Sequence, residues 1–379
     1  MPVQLTQDAR AISSAQRAAD RVVDVVLAVA RVAGAVTAPL LGRPLGGVWR
    51  AATRALHLRP DVATRPSAVG MRRLALAGLV ANGFIVVSGG LVRLTKSGLG
   101  CPTWPRCTPD SLLPAAHTDV PTTQMAIEFG NRMLTFVLLV VGVLVFVAAV
   151  HLRDRRPDLA RLAVVQPVGI LAQGALGGVT VLSGLHPAVV GAHYLLSAVV
   201  LVACVALVVR TSEGDRHPVA TLGRLTTRVA TVLPYAAFAL LAAGTVVTGA
   251  GPHAGDEEAE RYAFLGVDTV RIVARVHSLT MWLTLVLVVG LLVLVRREAA
   301  ASPDGAARMR RRTTLLVAVI AGQGAIGYLQ YFTGVPAWLV LLHVAGSVAF
   351  WVAVLLVRFA ARDRGPVEPE TAERGSRLR

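Results

Sequence analysis

Residues 171–184 read LAQGALGGVTVLSG, and residues 321–334 read AGQGAIGYLQYFTG. The segment Gln173-Gly174-Ala175-Leu176-Gly177 thus recurs as Gln323-Gly324-Ala325-Ile326-Gly327, at an offset of 150 residues. Carried forward without a gap, that offset lays Ser183-Gly184 on Thr333-Gly334, His193 on His343 and Ser197 on Ser347. Upstream, Val86-Val87-Ser88-Gly89 matches Val246-Val247-Thr248-Gly249 at a slightly different spacing. Every matched segment lies in or beside a long apolar run, so the chain reads as two copies of one helical unit.

The apolar runs number eight, near 71–92, 127–150, 160–182, 188–209, 229–250, 271–295, 313–333 and 337–359. Each has roughly the 20 residues that a bilayer core demands of a helix. Short links around Gly184–Pro187 and Gly334–Pro336 predict antiparallel helical hairpins. Four spans per copy is an even number, so both copies point the same way and are related by a pseudo-two-fold along the membrane normal. Small residues in the repeated motif let helix backbones approach closely. The expected fold is all-α: a polytopic membrane protein whose eight transmembrane helices form two pseudo-symmetric four-helix bundles. The expected division is an N-terminal cytoplasmic or interfacial extension (1–66), a first half (67–210), a second half (211–360) and a cytoplasmic tail (361–379). Within the extension, the mildly apolar stretch Val22–Leu41 is interrupted by Asp24 and Arg31, which suits an interfacial helix or a tail better than a span.

Composition agrees with a chain at home in lipid. Of 379 residues 54% are hydrophobic and only 16% charged, with a mean hydropathy of +0.62. The net charge of +16 does not mark a nucleic-acid binder, because the arginines sit in short links between apolar runs. There they set topology and meet anionic headgroups. Four lie in 151–161, four in 210–228 and six in 296–312, whereas the 250–271 link has five acids against two arginines. Positive residues stay inside, so both termini are expected on the cytoplasmic side, and the links carrying Cys101, Cys107 and the acids face outward.

Three of nine histidines fall within the predicted spans, His193, His277 and His343, each expected in the first turns of a helix entering from outside. A histidine in a span can fill a polar niche, but an ionisable group in lipid is costly and points to function. His277 and His343 lie on the second and fourth helices of the second half, where facing imidazoles can ligate haem. Zinc would want three or four close ligands, with cysteine or carboxylate among them. In the first half the fourth helix carries His193, while the second carries Glu128, Asn131 and Arg132 on one face by i, i+3, i+4 spacing. One half therefore has two histidines, and the other a histidine, an amide and a carboxylate. Glu128 is either a helix-end charge or a proton-handling group. Arg93, Arg132 and Arg275 either pair with haem propionates or snorkel to the interface. Cys204, inside a span, reads as a small core residue.

The stretch Gly89–Pro105 (GGLVRLTKSGLGCPTWP) resembles the first helix and outer loop of haem A synthases. So do Glu128–Arg132, the run Gln173–Leu182 and the histidines of helices four, six and eight; the resemblance spans about residues 68–360. It implies an enzyme of the cell membrane that oxidises the C8 methyl of haem O to a formyl group, giving haem A for terminal oxidases. It implies that His277 and His343 hold a resident haem b, that His193 ligates the substrate haem and that Glu128 is the essential carboxylate. The family commonly has histidine where this chain has Asn131. Cys101 and Cys107 resemble the family's outer-loop disulfide, here expected to hold a lid or a docking surface for haem delivery. Implied partners are the haem O synthase as donor and an electron-transfer protein, with a homo-oligomer left open. Two other readings stand beside it: a b-type cytochrome that uses the same histidines only to pass electrons, and, from the parallel repeat alone, a transporter or haem-handling chaperone.

Overall fold

The computed structural model describes residues 66–114 and 120–367. The expectations for 1–65 and for the tail beyond 367 lie outside the described residues.

Helix α1 (Ala68–Leu94) opens on Ser67, whose hydroxyl accepts the Gly70 N–H at 3.0 Å, satisfying one of the donors a helix start leaves free. Helix α2 spans Thr122–His151. The third span is built from α3 (Pro157–Ala163) and α4 (Val165–Leu182). Its break at Val164 sits three residues before Pro167, which has no N–H to give the preceding turn. Helix α5 (Pro187–Arg210) starts with proline at its first position, where the missing N–H costs nothing. Helix α6 covers Arg224–Ala250, and a 3-10 turn at Gly266–Asp268 leads into α7 (Thr269–Arg297). Helices α8 (Pro303–Phe332) and α9 (Ala337–Ala360) complete the eight helices long and apolar enough to cross a membrane.

The span bounds agree with the apolar pattern to within five residues, except at α8. That helix begins at Pro303, ten residues before the expected 313. Hydropathy sees only the membrane-length part, whereas a helix satisfies its own backbone equally well beyond it. Arg308, Arg310, Arg311 and Arg312 therefore ride on the same helix.

Packing closes two rings. In the first, α1 packs on α2 and α5, and α4 packs on α2 and α5; in the second, α6 packs on α7 and α9, and α8 packs on α7 and α9. The rings meet through α1 on α9, α5 on α6, and α5 on α9, the set a two-fold operation maps onto itself. At this seam the Trp351 indole N–H donates to the Ala198 carbonyl at 2.8 Å, and the Tyr194 hydroxyl lies 2.8 Å from Ser347 Oγ.

The repeat extends to the backbone. Gly184 and Leu185 have φ of 61° and 60°, and Gly334 and Val335 have 76° and 58°. Leu185 N donates to Thr180 O at 3.0 Å, and Val335 N to Gln330 O at 2.8 Å. A β-branched residue rarely adopts this left-handed conformation. The His253 imidazole, 2.8 Å from the Val335 carbonyl, helps to fix it.

The dense core lies at the ends remote from these turns. Leu233, Val288, Leu291, Met309, Leu316 and Val354 are buried in the second half, and Met71, Val145, Ala149, Ala160 and Leu207 in the first. Toward the turns packing loosens. On α9 nothing between Leu339 and Phe350 is fully buried, and on α7 nothing between Val273 and Thr284. Outward-facing Phe84, Phe136, Val140, Leu283 and Val286 are exposed, an apolar surface suited to lipid rather than water. At the opposite end, β1 (Val219–Ala220) pairs antiparallel with β2 (Arg362–Asp363), joining the link between the halves to the end of α9.

Candidate functional site

His277 and His343 face one another across the second ring, their ring centroids 6.4 Å apart. They sit about two turns into their helices. His277 is the ninth residue of α7, and His343 and His193 are each the seventh of α9 and α5. Depth removes them from water: the Nδ1 atoms of His193, His277 and His343 are all buried without a hydrogen-bond partner among the described residues. A buried orphan nitrogen costs free energy unless it is paired, which makes His277 and the repeat-equivalent pair His193 and His343 candidates for ligand binding. Two imidazoles bound to one iron at ~2 Å place their centroids ~6 Å apart, so the pair fits a bis-histidine haem. The loose packing around residues 274–283 and 340–349 suits a large flat apolar group. Among the described residues no three His, Cys, Asp or Glu gather as a metal cluster.

Each histidine rests on a glycine. A methyl at Gly327 would lie 3.5 Å from His343 Cε1, at Gly177 3.4 Å from His193 Cε1, and at Gly244 3.2 Å from His277 Cε1. Gly177 and Gly327 end the repeated Gln-Gly-Ala-x-Gly motif, so that motif seats the histidines as well as the helices. Gln173 supports the same spot, its amide N–H donating to the His193 carbonyl at 3.2 Å and to Ser197 Oγ at 2.6 Å. The motif was legible in the sequence; its contact with the imidazoles was not.

The trio on α2 does not act as one face. Asn131 turns to α1, where its carbonyl oxygen accepts the Ser88 hydroxyl at 2.7 Å. Glu128 and Arg132 turn instead to the loop that follows α1. Glu128, 5% exposed, accepts the Cys101 N–H at 2.5 Å through Oε2 and Arg132 Nη2 at 2.5 Å through Oε1. Arg132 also donates to the carbonyls of Cys101 (2.7 Å), Thr103 (3.0 Å) and Arg106 (3.1 Å). Cys101 and Cys107 are joined in a disulfide and buried. Gly100 permits this docking: a methyl there would lie 2.5 Å from the Gln124 carbonyl of α2. On its other side the loop lays Trp104 against Gly178, one residue from the seat of His193. The loop thus bridges α2 and α4 over the end of the first ring that carries the Gly184 turn. Trp104 and Ser88 were not singled out from sequence, since nothing local marks their partners.

Arg93 also works between segments, donating to the carbonyls of His253 and, at 2.8 Å, Thr248. Arg275 is exposed, two residues before His277, and has no hydrogen-bond or ion-pair partner among the described residues. Lys96 reaches Glu257 between the links that follow α1 and α6, at 2.6 Å. Its hydrogen bond and charge hold that exposed carboxyl below the usual glutamate range.

Residues 72–355 match the model of a family described as cytochrome oxidase assembly protein. The chain is similar to the heme A synthase of Shouchella clausii, 31% identical over 153 residues that cover 39% of this chain and 48% of the relative. It is similar also to that of Bacillus licheniformis, 29% identical over 38% of this chain and 46% of the relative. That of Geobacillus thermodenitrificans is 27% identical over 41% and 47%. The chain spans about half the length of the curated relatives it matches.

Proposed function

Since this chain belongs to the cytochrome oxidase assembly protein family, we propose that it is a haem A synthase, oxidising the C8 methyl of haem O to a formyl group. The observation that carries this reading is the pair of rings with unlike equipment: facing His277 and His343 in one, and His193 under a closed loop in the other.

In this reading His277 and His343 hold a haem b, whose bis-histidine ligation suits it to receive electrons. Exposed Arg275, on the same helix, is placed to pair with a propionate. The first half (67–210) takes haem O, with His193 as its axial ligand. The disulfide loop, clamped by Glu128 and Arg132 and laid on α4 through Trp104, limits water at the outer end and orients the macrocycle. Glu128 is the titratable group at that end. It moves a proton only when its bonds to Arg132 and Cys101 rearrange, which couples proton handling to the loop. The second half (211–360) is the electron-accepting side. The protein sits in the plasma membrane with both termini cytoplasmic, receives haem O from the haem O synthase and passes electrons to a further partner. Arg132 holds the disulfide loop through its carbonyls, and Arg93 holds the carbonyls of Thr248 and His253.

The test is the pigment. Haem extracted from the purified protein and separated by chromatography contains haem b with haem O or haem A. His277→Ala and His343→Ala each abolish the low-spin spectrum. Haem b alone, in cells that make haem O, would refute the synthase and leave a b-type cytochrome.

A further inference from the structure

The two halves repeat their backbone, their hairpin turns and their glycine seats, but not their ligands. His193 keeps all that His343 has: the same place on the fourth helix and a glycine, Gly177 or Gly327, under its ring. Across the ring the match fails. In the second half α7 brings His277 onto Gly244 of α6. In the first half the outer part of α2 carries no histidine, and Asn131 faces α1 in its place. Beside Ser88 on α1, a methyl at Gly89 would have nothing within 4 Å. The second imidazole is missing, and the space on that side is open.

What stands there instead is a fixed polar pair. Ser88 donates to the Asn131 carbonyl oxygen at 2.7 Å, which leaves the Asn131 NH2 without a hydrogen-bond partner among the described residues. The Ser88 hydroxyl also lies 3.1 Å from the Ile85 carbonyl of its own helix, whereas the Thr248 hydroxyl bonds within its helix, to the Gly244 carbonyl at 2.9 Å. Neutral amides and hydroxyls are poor ligands to haem iron beside imidazole, but a donor over the open face of a haem stabilises a small molecule bound there.

We propose that the haem bound in the first half has His193 as its one protein ligand from the spans, and that its Asn131 face is a binding site for a small uncharged or anionic molecule. This rests on the reading that the first half takes a haem. The Ser88–Asn131 pair is a positioning device that points one N–H donor at that molecule, so the substrate pocket also admits a co-reactant of diatomic or similar size. The second haem, closed on both faces by His277 and His343, admits none.

The test uses the full-length protein in detergent, saturated with added haem, reduced and exposed to carbon monoxide. One haem per chain binds carbon monoxide and the other does not; His193→Ala removes the reactive one, and His277→Ala leaves it. Asn131→Leu and Ser88→Ala retain binding but shift the C–O stretching frequency, because the N–H donor is lost or released. Asn131→His supplies the missing ligand, and the reactive haem becomes low-spin and carbon monoxide-insensitive. A wild-type protein with no carbon monoxide-binding haem would overturn the proposal, as would a C–O frequency unmoved in both polar variants. If haem A is made while no haem binds carbon monoxide, this inference fails and the synthase reading stands. If a His193-dependent haem binds carbon monoxide but cells make no haem A, the synthase reading fails and this inference stands.

Discussion

Replacing Glu128 by glutamine removes one charge and almost no volume. In the native site Oε2 accepts the Cys101 N–H at 2.5 Å, and Oε1 accepts two Arg132 donors at 2.5 and 3.1 Å. Glutamine keeps one acceptor and puts an NH2 where the other was, so a donor faces a donor at either Cys101 or Arg132. A hydrogen bond to a charged group contributes about 1.5–3 kcal/mol, and breaking a buried ion pair costs about 3–5 kcal/mol. The Arg132 side chain retains 17% exposure and still has three loop carbonyls, which argues for about 2–3 kcal/mol. That loss falls on loop docking, because both partners of the carboxylate hold the loop. At about 1.4 kcal/mol per tenfold, the fraction of protein with the loop open rises about 30- to 150-fold. Cys101 and Cys107 are 0% and 1% exposed, so a soluble phosphine reduces their disulfide only through the open state. Reduction followed by alkylation and mass spectrometry reads that rate directly. Arg132→Lys, which keeps the charge and loses the fork, accelerates reduction less. An unchanged reduction rate in Glu128→Gln refutes the clamp. Loss of haem A with the rate unchanged would assign Glu128 to the chemistry alone.

Three further outcomes follow from contacts elsewhere in the fold. Gly244→Ala presses a methyl 3.2 Å from His277 Cε1, so it alters the low-spin haem spectrum. Gly290→Ala on α7, with nothing within 4 Å, leaves the spectrum unchanged; identical spectra for both would show that the glycine seat is irrelevant. Glu298 caps the start of α6, accepting the Gly223 N–H at 2.6 Å and the Thr226 hydroxyl at 2.5 Å. Glu298→Ala therefore costs about 1–2 kcal/mol and lowers the thermal midpoint in detergent, and an unshifted midpoint counts against the cap. Lys96 is the chain's one lysine, so a carbodiimide that joins amine to carboxylate gives a single diagnostic Lys96–Glu257 link. The Glu257 carboxyl is held low by Lys96, so the ion pair is complete above the ordinary glutamate range and lost as pH falls through the lowered value. High salt weakens it at any pH. Absence of the link at neutral pH and low salt removes the pair as a tether between the halves.

The amino-acid sequence by itself determined what depends on local pattern. Span length and apolar runs set eight helices, because a bilayer imposes one thickness on each. The Gln-Gly-Ala-x-Gly repeat set two copies in one orientation, and the same offset paired His193 with His343. The odd element was α8, whose arginine-bearing first turns are invisible to hydropathy because a helix does not stop where lipid does. Only the tertiary structure decided which side chains meet. Glu128, Asn131 and Arg132 share one face by spacing, yet Asn131 bonds Ser88, 43 residues away, while Glu128 bonds Cys101, 27 residues away. Helical periodicity gives a direction around an axis but not the neighbour found there. That neighbour is set by how the rings close, and a loop such as 101–107, with no period of its own, takes its place only when α2 and α4 provide its partners. The glycines under the three histidines follow the same logic: the sequence shows a small residue, and only packing shows the imidazole that needs it small.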